Sequence, residues 1–267
     1  MSSAAMNRPL VLITGASAGI GAALARIYAE NQYDLLLIAR REERLAALAT
    51  ELEAQYNITA HTIASDLSKP HAIDEIITFL DAQNRHVDVL INNAGFGLAP
   101  EFTNTQWAEQ ANYLRLMLEA PCELTHKLLP AMRKRGKGSI INMASMAGYA
   151  PGGRGHTLYA ATKAALIKFS QSLHQENKKY GLNIVAVCPG LTYSEFHDVN
   201  GQREKLANFP KYMWQTSEQV AKATFRAGQR QNPVYVPGLF NQTLYILNKL
   251  LPETLSMRLL SVRHSQL

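Results

Sequence analysis

The chain is poor in cysteine. Of its 267 residues only Cys122 and Cys188 carry a thiol, far apart in sequence and each inside an apolar pattern. Two such thiols exclude a disulfide scaffold, show no metal-ligand spacing and fit a reducing compartment. No apolar run reaches the roughly 18 residues that a membrane span needs, and the opening MSSAAMNRP lacks an apolar signal region. A soluble, cytoplasmic protein is the expectation. Low-complexity tracts and internal repeats are missing as well, which argues against solenoids and arrays. The closing Ser265-Gln266-Leu267 departs at its centre from a peroxisomal address and is read as a chance match.

Charge is scarce too, at 18% of residues against 47% hydrophobic. That balance, at this length, supports a sizeable core and a single domain over 1–267. The net charge of +6 would suggest nucleic acid only if the basic residues were gathered on one surface, and they are scattered. The densest run, Arg133 to Lys137 in MRKRGKG, sits beside two glycines at an expected helix end, where cations complement the helix dipole. Arg40, Arg41 and Arg44 form a second cluster with a more specific use. No nucleic-acid partner is expected.

What the chain does have is alternation. Leu10 to Thr14, Asp34 to Ala39, Ile58 to Ala64, Val87 to Asn92, Gly138 to Ala144, Leu182 to Cys188 and Pro233 to Val236 read as strands bounded by Gly, Pro or polar residues. Helices are expected near 19–30, 41–56, 71–84, 105–135, 156–180 and 217–229. In the second of these, Leu45, Leu48, Leu52 and Tyr56 recur every three or four residues and make one face. Such strict alternation predicts an α/β fold, a parallel sheet with helices on both faces. Ligands of such sheets sit beyond the carboxyl ends of the strands. That rim carries Thr14-Gly15, Ala39-Arg40, Asp66, Asn92-Asn93-Ala94-Gly95, Ser145 and Pro189-Gly190.

Strand one leads into TGASAGIG, with glycines at 15, 19 and 21 where a helix begins. Gly15 suits a tight turn, Gly19 a close approach to a pyrophosphate and Gly21 close helix packing, while the helix N-terminus attracts the anion. Glycines in a strand-to-helix turn also serve purely conformational ends. Where a free ribose 2′-hydroxyl would want an Asp or Glu after strand two, the sequence has Ala39-Arg40-Arg41. Guanidinium groups pair there with a 2′-phosphate, so NADP(H) is expected over NAD(H); solvated arginines at a helix start are the plain alternative. Asp66 suits an adenine amino group or a helix cap equally. The NNAG segment suits backbone contact along an adenosine ribose and side-chain bonding to the sheet. Tyr159 and Lys163 stand four residues apart in TLYAATKAAL, so a phenol and an ammonium share one helix face, near enough for the cation to favour the phenolate. Many solvated helices show the same spacing.

In order and spacing, TGASAGIG, NNAG, Ser145, Tyr159-x-x-x-Lys163 and Pro189-Gly190 resemble the classical short-chain dehydrogenase/reductase family, over roughly residues 8 to 240. REERLAAL, ELTHKLLPAM and VYVPGLFNQTLYILNKLLP look like its general bacterial-type oxidoreductase branch. The resemblance implies a Rossmann-like, doubly wound fold with a seven-stranded parallel sheet, and hydride transfer between NADP(H) and a carbonyl or alcohol carbon. It implies Tyr159 as general acid in reduction and general base in oxidation, Lys163 lowering its pKa and holding the nicotinamide ribose, and Ser145 orienting the substrate. Implied cofactor contacts are Gly15, Ser17, Gly19, Ile20, Gly21, Arg40, Arg41, Asp66, Leu67, Asn93, Ala94, Gly95, Tyr159, Lys163, Pro189, Gly190, Thr192 and Ser194. A homodimer or homotetramer through the helices at 105–135 and 156–180 is likewise implied.

One departure stands out. Met117 occupies the position where relatives carry an asparagine that holds a water-bearing proton relay, and methionine cannot donate an amide proton. A catalytically weak or inactive NADP(H)-binding sensor or scaffold is therefore the alternative reading. Segment 190–216 corresponds to a substrate lid. Its Phe196, Phe209, Tyr212, Met213 and Trp214 either line an apolar pocket for a hydrophobic small-molecule substrate or pack on the lid's own core. An amphipathic helical extension at about 239–263 is expected to pack on the domain, a partner subunit or a membrane surface.

Overall fold

Runs such as LVLIT and DLLLIA offer apolar side chains to both faces, and they become central strands of a sheet covered on both sides. The computed structural model describes residues 8–97, 102–151, 157–195 and 209–251. In chain order the elements are β1 (Leu10–Thr14), α1 (Gly19–Glu30), β2 (Asp34–Ala39), α2 (Glu42–Tyr56), β3 (Ala60–Ala64), α3 (Ala72–Ala82) and β4 (Val87–Asn92). Next come α4 (Trp107–Leu114), a π turn (Arg115–Glu119), α5 (Ala120–Arg135), β5 (Gly138–Met143), α6 (Thr157–Asn177) and β6 (Leu182–Val187). The described chain closes with β7 (Leu191–Tyr193), β8 (Trp214–Thr216), α7 (Ser217–Ala227), β9 (Val234–Tyr235) and α8 (Leu239–Leu250).

Seven strands pair in parallel in the order β3-β2-β1-β4-β5-β6-β9, so the direction of winding reverses between β1 and β4. This is the doubly wound, Rossmann-like sheet. Strand side chains divide by the two-residue period. Val11, Ile13, Leu35, Leu37 and Ile91 pack under α1, α2 and α7, whereas Leu12, Leu36, Ile38 and Leu90 pack under α3, α5 and α6. Each such side chain removed from water contributes about 1.5–3 kcal/mol.

Several boundaries differ from the sequence expectation for identifiable reasons. Strand β3 starts at Ala60, not Ile58, because the Asp34 carboxylate takes the Thr59 amide at 2.9 Å. Strand β9 is short: Pro233 accepts from the Ala186 amide at 3.0 Å but has no N–H to return. The continuous helix expected at 105–135 is interrupted. Pro121 cannot donate to the Met117 carbonyl, and its ring would press on it; the chain answers with a π turn in which the Ala120 amide reaches the Arg115 carbonyl.

The basic run behaves as a helix end. Gly136 closes α5 in the left-handed region at φ 65°, and Arg135 donates to the Val87 carbonyl at 2.7 Å. The described residues of segment 190–216 are more regular than expected, because β7 and β8 form a separate parallel ribbon. Phe196 lies outside the described residues, as do Ser265-Gln266-Leu267 and the chain beyond Leu251. Among the described residues no helix is long and apolar enough to cross a membrane.

Candidate active site

At the carboxyl end of β1 the hydroxyl of Thr14 accepts from the amides of Asn93 at 2.9 Å and Ala94 at 3.0 Å. The Asn93 side-chain amide returns to the carbonyls of Thr14 at 2.9 Å and Gly15 at 3.3 Å. These bonds draw NNAG so close to the glycine turn that a Cβ on Gly15, whose φ is +68°, would lie 2.8 Å from the Ala94 Cα. A Cβ on Gly21 would lie 2.7 Å from the Asn93 side-chain nitrogen, so α1 can start only where glycine lets it approach. Helix α1 has Ala18 at its N-cap and therefore no side-chain acceptor for its first amides. Ser17, Ala18, Gly19 and Ile20 present that uncapped end to a cavity of about 310 Å³. Open amides at the positive end of a helix dipole suit an anion.

Exposed Arg40 lines the cavity at the end of β2, where the chain itself supplies arginines and no Asp or Glu directly after the strand. Arg41 turns back to the Ser17 hydroxyl, with Nε at 3.2 Å and Nη2 at 3.0 Å. Arg41 and Arg44 also grip Glu195, each through an Nη1 at 2.7 Å from a different carboxylate oxygen. Asp66 caps no helix, because α3 starts at Ala72 with His71 at its N-cap; its Oδ1 instead closes a local turn, accepting from the Ser68 amide at 3.0 Å and hydroxyl at 2.8 Å. Burial pushes its carboxyl up, but the Ser68 bonds with Arg40 and Lys69 outweigh that and hold it below the ordinary range. Asp66 and buried Leu67 still face the cavity.

Across the rim, Ser145 begins a short turn, its Oγ accepting from the Ala147 amide at 3.1 Å. The turn is seated between elements: the Met146 amide donates to the Pro189 carbonyl at 2.9 Å, and Gly148 packs on the backbone of α6. The Tyr159 phenol, on α6, bonds the Ser145 side chain. One turn on, Lys163 is buried, its Nζ 5.8 Å from the Tyr159 ring centroid and 2.7 Å from the Met143 carbonyl, to which it donates. Burial lowers its pKa to about 8, leaving it mostly protonated at neutral pH.

The protonation of the Tyr159 phenol is governed here by its surroundings. Burial raises Tyr159 above its ordinary value, and the group opposing that rise is Ser145. The phenol therefore carries its proton at neutral pH. Lys163 gives one of its ammonium protons to a main-chain carbonyl.

Three further features escaped the sequence reading. Buried Asn92 donates to Asn142 at 2.8 Å, and Asn142 to Ser170 at 2.8 Å, tying β4 and β5 to α6 beneath the site. Asn241 of α8 donates to Gln215 and to the Pro237 carbonyl, both at 2.9 Å, and abuts Gly190 so tightly that a Cβ there would meet its Nδ2 at 2.7 Å. Glu195 closes the arginine cluster. The asparagines in strands carried a signal, since a polar amide in a buried strand demands a partner; Asn241 and Glu195 had none that spacing reveals.

Pro189, Gly190, Thr192 and Ser194 line the cavity beside Asn93, Ala94 and Gly95, so the expected contacts converge on one cleft. Tyr212, Met213 and Trp214 are not among its lining residues. Trp214 stacks on Tyr193 with centroids 4.6 Å apart, and Tyr212 meets Phe240 edge-on at 5.3 Å. Phe96, Leu116, Met143 and Ala144 supply the apolar wall in their place. Met117 is buried under that wall, its sulfur 2.8 Å from where a Cβ on Gly95 would be. Open helix amides, paired guanidinium groups already holding an anion, and a proton donor at the far end fit a phosphorylated dinucleotide.

The family model for short chain dehydrogenases matches residues 9–205. Sulfoacetaldehyde reductase 2 of Chromohalobacter salexigens is 34% identical over 81% of this chain and 86% of its own length. The NADP-dependent 3-hydroxy acid dehydrogenase YdfG of Salmonella typhi is 36% identical over 73% and 79%. A short-chain dehydrogenase from Sphingobium yanoikuyae, solved in complex with NADPH, superposes with a TM-score of 0.80 at 29% identity, covering 91% of this chain and 96% of that one. Sequence motifs, sheet order and rim geometry agree with these matches: the chain belongs to the classical short-chain dehydrogenase/reductase family of oxidoreductases.

Proposed function

We propose that the protein is an NADP(H)-dependent carbonyl reductase or alcohol dehydrogenase acting on a small hydrophobic substrate. The observation that carries this reading is one cleft with Ser145, Tyr159 and Lys163 at one end and Arg40 and Arg41 at the other. When bound, the nicotinamide supplies or receives the hydride. Ser145 holds the carbonyl oxygen, and the Tyr159 phenol protonates that oxygen in reduction and takes the proton back in oxidation. Lys163 keeps a positive charge beneath the phenol and offers its remaining protons to the nicotinamide ribose. Gly15, Ser17, Gly19, Ile20 and Gly21 cradle the pyrophosphate, with Ser194 beside them; Asp66, Leu67, Asn93, Ala94 and Gly95 take the adenosine half; Pro189, Gly190 and Thr192 flank the nicotinamide.

Preference for NADP(H) is supported by the guanidinium groups beyond β2, by NADPH in the Sphingobium structure and by the name of the Salmonella relative. The two curated relatives are named for anionic substrates, but Phe96, Leu116 and Ala144 favour a neutral, apolar one here. A homo-oligomer follows from the family resemblance, and light scattering tests it.

The test is NADPH oxidation across a panel of aldehydes and ketones. Tyr159→Phe should lower turnover by about a thousandfold, and Arg40→Asp should erode the preference for NADPH. Wild-type preference for NADH, or turnover indifferent to Tyr159→Phe, overturns the reading. Met117 favours a second reading, a cofactor-binding sensor with little turnover. Tight NADPH binding without reduction of any carbonyl in the panel would support it.

A further inference from the structure

Glu195 is the one carboxylate that both Arg41 and Arg44 hold among the described residues, and it comes from far along the chain, just after β7. The grip uses both of its oxygens, one per guanidinium, each at 2.7 Å. All three side chains are about half exposed, at 45%, 52% and 46% for Arg41, Arg44 and Glu195, so the cluster opens to solvent at the cleft mouth. Arg41 is also braced against the Ser17 hydroxyl of the glycine turn. The donors are thus oriented before any nucleotide arrives, and an anion already fills them.

A 2′-phosphate needs the same donors. Two anions within about 4 Å of each other repel, and two guanidinium groups cannot saturate the oxygens of both. A ribose with a free 2′-hydroxyl raises no such conflict. Resting on the NADP(H) reading above, we propose that Glu195 is an internal competitor for the 2′-phosphate site. Its carboxylate must leave the Arg41–Arg44 clamp before a 2′-phosphorylated nucleotide can enter, so Glu195 sets how sharply the protein separates NADP(H) from NAD(H). Selectivity then depends on a residue of the β7 end as well as on the arginines that make the positive contacts. Ser194, next to it, lies against the glycine turn, its Cβ 3.2 Å from where a Cβ on Gly19 would be.

Calorimetric titration with adenosine 2′,5′-bisphosphate and with adenosine 5′-monophosphate tests this without turnover or nicotinamide. Wild type should prefer the bisphosphate. Glu195→Gln and Glu195→Ala should each bind it about three- to tenfold more tightly, with affinity for the monophosphate unchanged within about twofold. Thermal denaturation of both variants verifies folding. Bisphosphate affinity that is unchanged or weaker in both variants overturns the proposal and makes Glu195 an organiser of the clamp. If wild type and Arg41→Ala alike fail to distinguish the two nucleotides, the NADP(H) reading itself fails and the competitor role goes with it.

Discussion

Lys163 donates to the main-chain carbonyl of Met143 at 2.7 Å, a buried ammonium anchored to the strand before Ser145. Its folded-state pKa of about 8 against an ordinary 10.5 means that the fold disfavours the charged form by about 3 kcal/mol. The bond to Met143 is lost on substitution and offsets part of this. Lys163→Met should therefore raise stability by about 1–2 kcal/mol while turnover falls at least about a hundredfold. Because the folded pKa lies below the unfolded one, the penalty is complete below pH 8 and gone above 10.5. Denaturant titrations at several pH values should show the variant's advantage shrinking across that window.

Ser145 is the group that pulls Tyr159 back from the rise that burial imposes. Ser145→Ala removes that pull together with the hydrogen bond proposed for the substrate carbonyl. We expect turnover to fall by about ten- to a hundredfold. In the oxidative direction, which needs the phenolate, the rise of rate with pH should move to more alkaline values. An unshifted profile would show that another group sets the phenol's affinity for its proton.

Gly190→Ala should lower stability by about 1–3 kcal/mol through collision with Asn241. The double variant Gly190→Ala/Asn241→Ala opens the space again and should recover much of the lost melting temperature. If the double variant is no better than the sum of the singles, the contact is not the cause.

Met117→Asn places an amide beneath Gly95 in a buried, apolar position, so stability should drop by about 1–3 kcal/mol. Turnover with the best carbonyl substrate should nonetheless rise several-fold if a missing proton relay limits the rate. Unchanged turnover at full occupancy of both substrates would show that the relay does not run through this position.

The sheet was legible because its strands are buried on both faces and read as unbroken apolar runs between turns. The rim was legible because glycines, asparagines and the Tyr159–Lys163 pair lie at strand ends and helix starts, where chemistry and geometry coincide. Backbone effects were less visible. Pro121 perturbs its helix through a carbonyl four residues earlier, which no hydrophobic period records. Asn241 and Glu195 act across large sequence separations, so neither spacing nor composition could connect them to Gly190 or Arg41. Burial sets the direction in which the Tyr159 pKa moves, and no spacing records how deeply a phenol is buried.

Asn241 lies far beyond the glycine turn and beyond the stretch that the family model matches, yet it forms the wall behind Gly190. Chains emerge from the ribosome N-terminus first, but a domain generally folds as a unit. The nucleotide cradle and the Tyr159 helix are synthesised well before that wall exists. The wall behind Gly190 is therefore complete only once the chain has been made through Asn241, so the rim waits on the last described helix.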